Sequence, residues 1–205
     1  MKERKAILAF EHARRVKVNG FITSHDETFI NKSGLDLKVV SRYCVGMEFV
    51  CLGRFYRGIG FRNDHEGFEF FDGRQSFYPH TVGTPGITAI KADVGGDNQN
   101  CLLFCSCLDF LAYKTMEPEK ASVSDSIILN AACNFTEFLQ NLSQYHTFYC
   151  FFPHTVFGDT ILKTLVGLFD SACVDCSSQY VRSVALFDSL RMRYNQRKCV
   201  IYERI

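Results

Sequence analysis

Apolar and polar residues follow two different periods along this chain, and the change comes near residue 100. Residues 46–72 alternate apolar and polar positions and are rich in aromatic side chains, which is typical of half-buried strands. We predict two or three antiparallel strands there, with a turn at residues 63–67. From residue 101 onward, short apolar runs alternate with helical stretches, which indicates a parallel sheet with right-handed crossovers.

The second half of the chain predicts four strands and four helices. The predicted strands are residues 101–105, 126–130, 147–152 and 171–175. The predicted helices are residues 107–116, 134–144, 156–169 and 183–193. Residues 199–205, CVIYERI, fit an added edge strand. Because ligands in such sheets bind at the carboxyl ends of the strands, Cys105 and Ser106 are candidate site residues.

The first half of the chain predicts a smaller and less regular lobe. Residues 2–18 predict a short amphipathic helix whose basic face is either solvated or in contact with phosphate. Residues 20–45 predict a loop followed by a short helix or strand, and residues 73–100 predict a connection rich in glycine. We therefore expect an α/β protein with an N-terminal α+β lobe at 1–95 and a second domain at 96–205.

Composition narrows the class of protein without identifying a partner. Hydrophobic residues make up 47% of the chain, and the net charge of +1 gives no overall attraction to nucleic acid or anionic membrane. We find neither a membrane-spanning apolar stretch nor the apolar core of a signal peptide. The ten cysteines lie mostly within apolar runs, which is typical of reduced core residues. We therefore expect a cytoplasmic protein without membrane contact.

Three stretches of the chain resemble the Toprim domains of primase-like proteins, especially the type carried on mobile elements of gut bacteria. Residues 103–111, LFCSCLDFL, resemble the first Toprim motif, and residues 148–165, FYCFFPHTVFGDTILKTL, resemble the second. Residues 58–71, GIGFRNDHEGFEFF, resemble the segment before the Toprim core. The resemblance covers roughly residues 35–195 and implies a Toprim-like parallel sheet flanked by helices.

The resemblance does not extend to most of the acidic positions. The motif positions in this chain are Cys105, Ser106, Asp109, Pro153, Thr155 and Gly158. Asp109 and Gly158 agree with the motifs, whereas Cys105, Pro153 and Thr155 stand where the family has its catalytic glutamate and two metal-binding acids. Mg²⁺ takes oxygen ligands, and a lone carboxylate holds it weakly. We therefore expect no catalytic residue and no cofactor beyond weakly bound Mg²⁺.

The resemblance favours a degenerate, non-catalytic Toprim domain that acts as a nucleic-acid-associated binding or assembly module. The expected partners are single-stranded or duplex DNA and proteins of replication or mobilisation. One alternative is a metal-dependent phosphotransferase or nuclease that uses displaced acids such as Asp109 and Asp159. The other alternative is a pure protein-interaction module.

Two groups of basic residues are candidate contacts to nucleic acid. The first lies beside aromatic residues of the predicted antiparallel strands and consists of Arg54, Arg57 and Arg62. The second lies near the end of the chain and consists of Arg191, Arg193 and Arg197. Arginines interleaved with aromatic side chains can contact phosphates while single-stranded bases stack. An ordinary solvated surface remains the alternative for both groups.

Two cysteine arrangements carry further hypotheses. Cys173 and Cys176 have zinc-ligand spacing, with His146 or His154 as further ligands, although no second pair of cysteines follows. A helix N-terminus lowers the pKa of a thiol, so Cys105 is a candidate nucleophile with His154 as its base. In both cases the alternative is a reduced cysteine that only packs.

Overall fold

The computed structural model describes residues 12–72, 79–95, 99–180, 187, 188, 190 and 191. In these residues the chain forms two five-stranded sheets with helices between and around them. The first sheet is antiparallel, and its strands pair in chain order. They are β1 (Arg14–Asn19), β2 (Cys44–Cys51), β3 (Arg54–Arg62), β4 (Phe68–Phe71) and β5 (His80–Val82). Two helices, α1 (Ser24–Ser33) and α2 (Leu37–Tyr43), connect β1 to β2.

The second sheet is mixed. Its strands are β6 (Thr88–Ile90), β7 (Asn100–Phe104), β8 (Asp125–Ile128), β9 (Thr147–Phe151) and β10 (Cys173–Asp175). Their order across the sheet is β10-β9-β7-β8-β6. The four strands from β7 to β10 are parallel, and β6 adds to β8 in the antiparallel direction. The associated helices are α3 (Cys107–Met116), α4 (Pro118–Ser122), α5 (Phe135–Leu142) and α6 (Val156–Phe169).

Helices cover both faces of the second sheet, which explains why β7 is apolar along its length. Leu102 and Phe104 point to one face and pack with α1, α2 and α3. Cys101 and Leu103 point to the other face and pack with α5 and α6. Each residue of β7 therefore loses contact with water on whichever side it points, apart from Asn100 at the start of the strand.

The first sheet packs into the same hydrophobic cluster as one face of the second. Ile59, Phe61 and Phe71 are buried in the cluster that contains Leu102 and Phe104. In addition, β6 falls within residues 1–95, yet it pairs with β8 of the second sheet. The two ranges expected as separate domains therefore share a core and one sheet in the described part of the chain.

Most elements of the second half are confirmed. Helices α3 and α6 occupy the same residues as predicted, and the four predicted parallel strands are present, with β10 shortened to three residues because a 3₁₀ turn precedes it. The antiparallel strands and the turn at residues 63–67 are also confirmed. The predicted edge strand at 199–205 and most of the predicted helix at 183–193 lie outside the described residues.

The expectations for the first half need correction. The helix expected at 2–18 is wrong for residues 14–18, which belong to β1, an edge strand paired to β2 in which Val16 and Val18 alternate with polar residues. Residues 2–11 lie outside the described residues. Residues 20–45 contain a capped helix, α1, in place of the expected loop, because Thr23 and Asp26 form a capping box. The expected connection at 73–100 contains β5 and β6, which gain their hydrogen bonds from β4 and β8.

Candidate functional site

The carboxyl ends of β7 and β9 meet where the strand order of the second sheet reverses. From β7 the chain crosses to β8 on one side, and from β8 it returns past β7 to reach β9 on the other. The last residues of the two strands, Phe104 and Phe151, lie side by side in register. Ligands of open α/β sheets bind in the crevice at such a reversal. We call residues 105–109 and 152–158, which follow these two strands, the rim.

The structure places all the Toprim-like motif positions on this rim. Cys105, Ser106 and Asp109 follow β7 and enter α3, whereas Pro153 and Thr155 follow β9 and precede α6. Since β7 and β9 are adjacent and parallel, the two segments leave the sheet at the same edge. Asp109 is the single carboxylate within the residues that define the rim.

Asp109 is held by hydrogen bonds within the protein. Ser106 caps α3: its Oγ accepts the backbone N–H of Asp109 at 3.2 Å and donates to Oδ2 of the Asp109 carboxylate at 3.1 Å. The other carboxylate oxygen, Oδ1, accepts the backbone N–H of Phe187 at 3.0 Å. The residue is only 3% exposed. Asp109 therefore joins the start of α3 to the C-terminal part of the chain, and a metal ion would have to compete with both contacts.

Thr155 and Gly158 form the matching start of α6. The Oγ1 atom of Thr155 accepts the backbone N–H of Gly158 at 3.1 Å, which caps the helix. A Cβ atom at Gly158 would lie 2.1 Å from the carbonyl oxygen of Pro153. A side chain there would collide with the backbone, so the glycine that agrees with the motif has a packing reason. The next residue, Asp159, is exposed on the first turn of α6.

The thiols at the rim, Cys105 and Cys107, are buried. Burial raises the pKa of Cys105 well above its usual value, and the nearby Asp109 carboxylate raises it further. Burial likewise raises the pKa of Cys107. The expected lowering of a thiol pKa at the start of α3 is therefore wrong here, because desolvation outweighs the helix N-terminus. His154 has its Nε2 atom 3.2 Å from the carbonyl oxygen of Ser177.

The zinc hypothesis gains no support from the described residues. Among them, no cluster of three or more histidine, cysteine, aspartate or glutamate side chains has a metal-binding arrangement. Cys173 and Cys176 are free thiols at the two ends of the segment that contains β10. Burial raises the pKa of Cys173, and it raises the pKa of Cys176 to about 11.

The three arginines of β3 do not share one surface. Side chains alternate along a strand, so Arg54 and Arg62 lie on one face of the first sheet and Arg57 lies on the other. Arg57 donates its Nε–H to a carboxylate oxygen of Glu48 at 2.7 Å. Arg62 pairs with Glu66 at 2.9 Å in the following turn.

The aromatic residues beside these arginines also differ in exposure. Phe61 belongs to the core shared by the two sheets, and Tyr56 stacks on Phe49 with ring centroids 5.1 Å apart. Phe55, by contrast, is 63% exposed. Of the three aromatic positions, Phe55 is therefore the one whose ring is exposed to solvent.

The sequence analysis did not predict that the basic residues of β1 belong to the first sheet. Residues 12–22 and 44–58 together contain a single acid, Glu48, and five cationic residues. The five are Arg14, Arg15, Lys17, Arg54 and Arg57, which we call the basic end of the first sheet. All five are exposed. The alternation of Val16 and Val18 was the available signal for a strand, and the whole-chain charge of +1 conceals this local excess.

The C-terminal basic group is only partly described. Arg191 is partly buried and lies in the described part of the chain, whereas Arg193 and Arg197 lie outside it. This group therefore stays a prediction from the sequence.

A buried carboxylate in the first sheet was also missed. Glu69 on β4 accepts hydrogen bonds from the Thr81 hydroxyl at 3.0 Å and from the Asn63 amide at 3.4 Å. Burial raises the pKa of Glu69, and these two neutral donors only partly offset that effect. The residue lies opposite Phe61 in the sheet, on the face that packs against the helices. The protonation of Glu69 therefore affects the stability of the core that the two sheets share.

These features define a mixed α/β protein with an antiparallel sheet and a mixed sheet flanked by helices. No family model matches the chain, and no curated protein or solved structure is significantly similar to it. Among the described residues, no helix combines the length and apolar character needed to cross a bilayer.

Proposed function

We propose that this chain is a non-catalytic relative of the Toprim domain that binds nucleic acid, in DNA or mobile-element biology, as a binding or assembly module. The proposal joins the Toprim-like motif order of the sequence to two structural features. One is the rim, whose single carboxylate is buried and hydrogen-bonded within the protein. The other is the basic end of the first sheet.

The hydrogen bonding of the buried Asp109 carboxylate is the observation that carries the proposal. A phosphoryl-transfer site needs carboxylates that converge on a divalent ion. At this rim the one carboxylate is buried and hydrogen-bonded to Ser106 and Phe187. Cys105 and Pro153 offer no oxygen ligand from their side chains, and the Thr155 hydroxyl is used to cap α6. The arrangement supports a scaffold without metal chemistry, and it disfavours an enzyme built on Asp109 and the exposed Asp159.

The basic end of the first sheet supports association with nucleic acid. It contains five cations and one glutamate, while the remainder of the chain is acidic enough to bring the total charge down to +1. Such a local excess of positive charge attracts a polyanion.

Titration of labelled DNA tests nucleic-acid association. We expect binding to a single strand or a duplex of about 20 nucleotides, with an affinity that falls steeply between about 50 and 200 mM salt. Absence of binding to both at the lower salt concentration would leave the protein-interaction module as the better hypothesis.

Calorimetry with Mg²⁺ and Mn²⁺ tests the non-catalytic part separately. We expect no site tighter than about millimolar, since a single engaged carboxylate is a poor ligand set. A tight, stoichiometric isotherm, or cleavage of the labelled DNA when Mn²⁺ is added, would favour the phosphotransferase or nuclease.

A further inference from the structure

We infer that one face of the basic end binds single-stranded nucleic acid, with Phe55 stacking on bases while Arg14 and Lys17 contact phosphates. This inference rests on the proposed function, and it specifies the ligand and the surface. The face concerned is the one that carries Glu48 and Arg57 on β2 and β3.

The register of the first sheet places two rows of side chains on this face. In the first row, Lys17, Glu48 and Arg57 lie opposite one another on β1, β2 and β3. Side chains directly opposite in antiparallel strands have Cβ atoms about 4.5–5.5 Å apart. Arg57 is bonded to Glu48, so that acid is already neutralised by a cation on the same face. Lys17 is exposed and adds a positive charge beside the pair.

The second row combines a cation with the exposed aromatic ring. Arg14 lies opposite Val50, and Val50 lies opposite Phe55. Strands are about 4.8 Å apart, so Arg14 and Phe55 are attached to backbones about 10 Å from each other. Both side chains are exposed. If a base stacked on Phe55, the sugar–phosphate backbone attached to that base would therefore lie within reach of Arg14.

Phe21 extends the same face beyond the end of β1. Gly46 is opposite Asn19 in the register, and a Cβ atom at Gly46 would lie 2.6 Å from the carbonyl oxygen of Phe21. The backbone at Phe21 therefore lies over Gly46, which is two residues before Glu48. Phe21 is 70% exposed. Two exposed phenylalanines thus border the row of Lys17 and Arg57.

These observations favour an unpaired strand over a duplex. A phenyl ring stacks on a base only when that base is free of its neighbours, and each such contact contributes about 1–3 kcal/mol. In contrast, duplex recognition in the major groove uses a helix or a two-stranded ribbon that enters the groove. The surface described here is carried by three paired strands, at the end of a face on which Ile59 and Phe61 are buried in the shared core.

Substitution of the aromatic ring tests the inference on the whole chain. We expect Phe55→Leu to weaken binding of a labelled oligothymidine of about 20 nucleotides by about 5- to 150-fold, because it removes stacking but keeps an apolar side chain. Duplex affinity should stay within about twofold of the wild type, since charge dominates there. The control is Leu168→Ala, which truncates an exposed apolar side chain near the end of α6, outside the rim.

Substitution of the cations tests the other half of the inference. We expect the double variant Arg14→Gln, Lys17→Gln to weaken single-strand binding and to reduce the slope of log K against log salt by about 1.4. Lys163→Gln together with Lys38→Gln, two exposed lysines on α6 and α2, forms the control pair and should leave that slope unchanged.

The results separate this inference from the proposed function. If the wild type binds DNA but Phe55→Leu binds the single strand as tightly as before, the inference is overturned and the proposed function stands. An equal loss from Leu168→Ala would overturn the location of the surface. If the wild type binds neither DNA at about 50 mM salt, both proposals fail together. Thermal unfolding of each variant checks that the fold is intact, which we expect because all the altered side chains are exposed.

Discussion

The Oδ1 atom of Asp109 accepts the backbone N–H of Phe187 at 3.0 Å, a contact between residues 78 positions apart. Phe187 also places its side chain in the core that the two sheets share. The same carboxylate accepts the Ser106 hydroxyl through Oδ2. Asp109, the one acid that agrees with the motifs, therefore acts as a structural link in this protein.

Replacement of this carboxylate should destabilise the fold. We expect Asp109→Ala to lower the free energy of unfolding by about 1–3 kcal/mol, because the Phe187 N–H and the Ser106 hydroxyl lose a buried acceptor. Asp159→Ala is the control: this acid is exposed on the first turn of α6, where an acid contributes about 0.3–1 kcal/mol. Urea unfolding measures both. A wild-type midpoint that rises with Mg²⁺ and a variant midpoint that does not would contradict the structural role.

Two glycines of α6 should respond in opposite directions to the same substitution. Gly158→Ala should cost about 1–3 kcal/mol, because the new Cβ would lie 2.1 Å from the Pro153 carbonyl oxygen. Gly167→Ala should stabilise the protein by up to about 1 kcal/mol, since nothing lies within 4 Å of the new methyl group and alanine favours the helix. Chemical denaturation of the two variants under identical conditions gives the comparison. Equal losses of unfolding free energy in the two variants would contradict the close contact between Gly158 and Pro153 at the start of α6.

Glu69 should make the stability depend on pH. Burial raises its pKa in the folded protein, so the folded state holds the proton more tightly than the unfolded chain does. Its contribution is therefore present in full below the unfolded pKa of about 4.3 and is lost as the pH rises through the folded value. We expect Glu69→Gln to remove this loss, so that the variant gains stability relative to the wild type as the pH increases.

Unfolding free energies measured at several pH values check this difference. The control is Glu66→Gln, because Glu66 is an exposed acid in the preceding turn. The same pH dependence in the Glu69 variant and the wild type would be inconsistent with a buried acid at this position.

The cysteines should differ in reactivity according to burial. We expect iodoacetamide to label Cys133 at least about tenfold faster than Cys105 in the native protein, because Cys133 is exposed and burial raises the pKa of the Cys105 thiol. In urea the two should react at similar rates. Peptide mapping by mass spectrometry measures each site. Rapid native labelling of Cys105 that disappears in His154→Ala would revive the nucleophile hypothesis.

The local sequence pattern accounts for much of the second sheet. The apolar run at residues 102–104 and the helical spacing after it are properties of neighbouring residues, so α3 was predicted at the residues where it occurs. The same holds for α6, whose start is marked by Thr155 and Gly158. Neither pattern contains information about which strands become neighbours.

The elements of the first half depended on partners distant in the chain. β1 is basic and could be mistaken for one face of a helix, and its pairing with β2 decides that it is a strand. β6 is three residues long and gains its hydrogen bonds from β8, nearly 40 residues later. Short segments of this kind have little preference of their own, so local patterns do not predict them.

The sequence by itself determined the order of strands and helices beyond residue 100, and it determined that Cys105, Pro153 and Thr155 carry no carboxylate. Only the tertiary structure decided that Asp109 is bonded to Phe187, that the rim thiols are buried, and that Arg14 and Phe55 share a face. Periodicity reports how a residue relates to its near neighbours. Burial, pKa and the sharing of a surface depend on segments that folding brings together from far apart, and those contacts leave no local pattern.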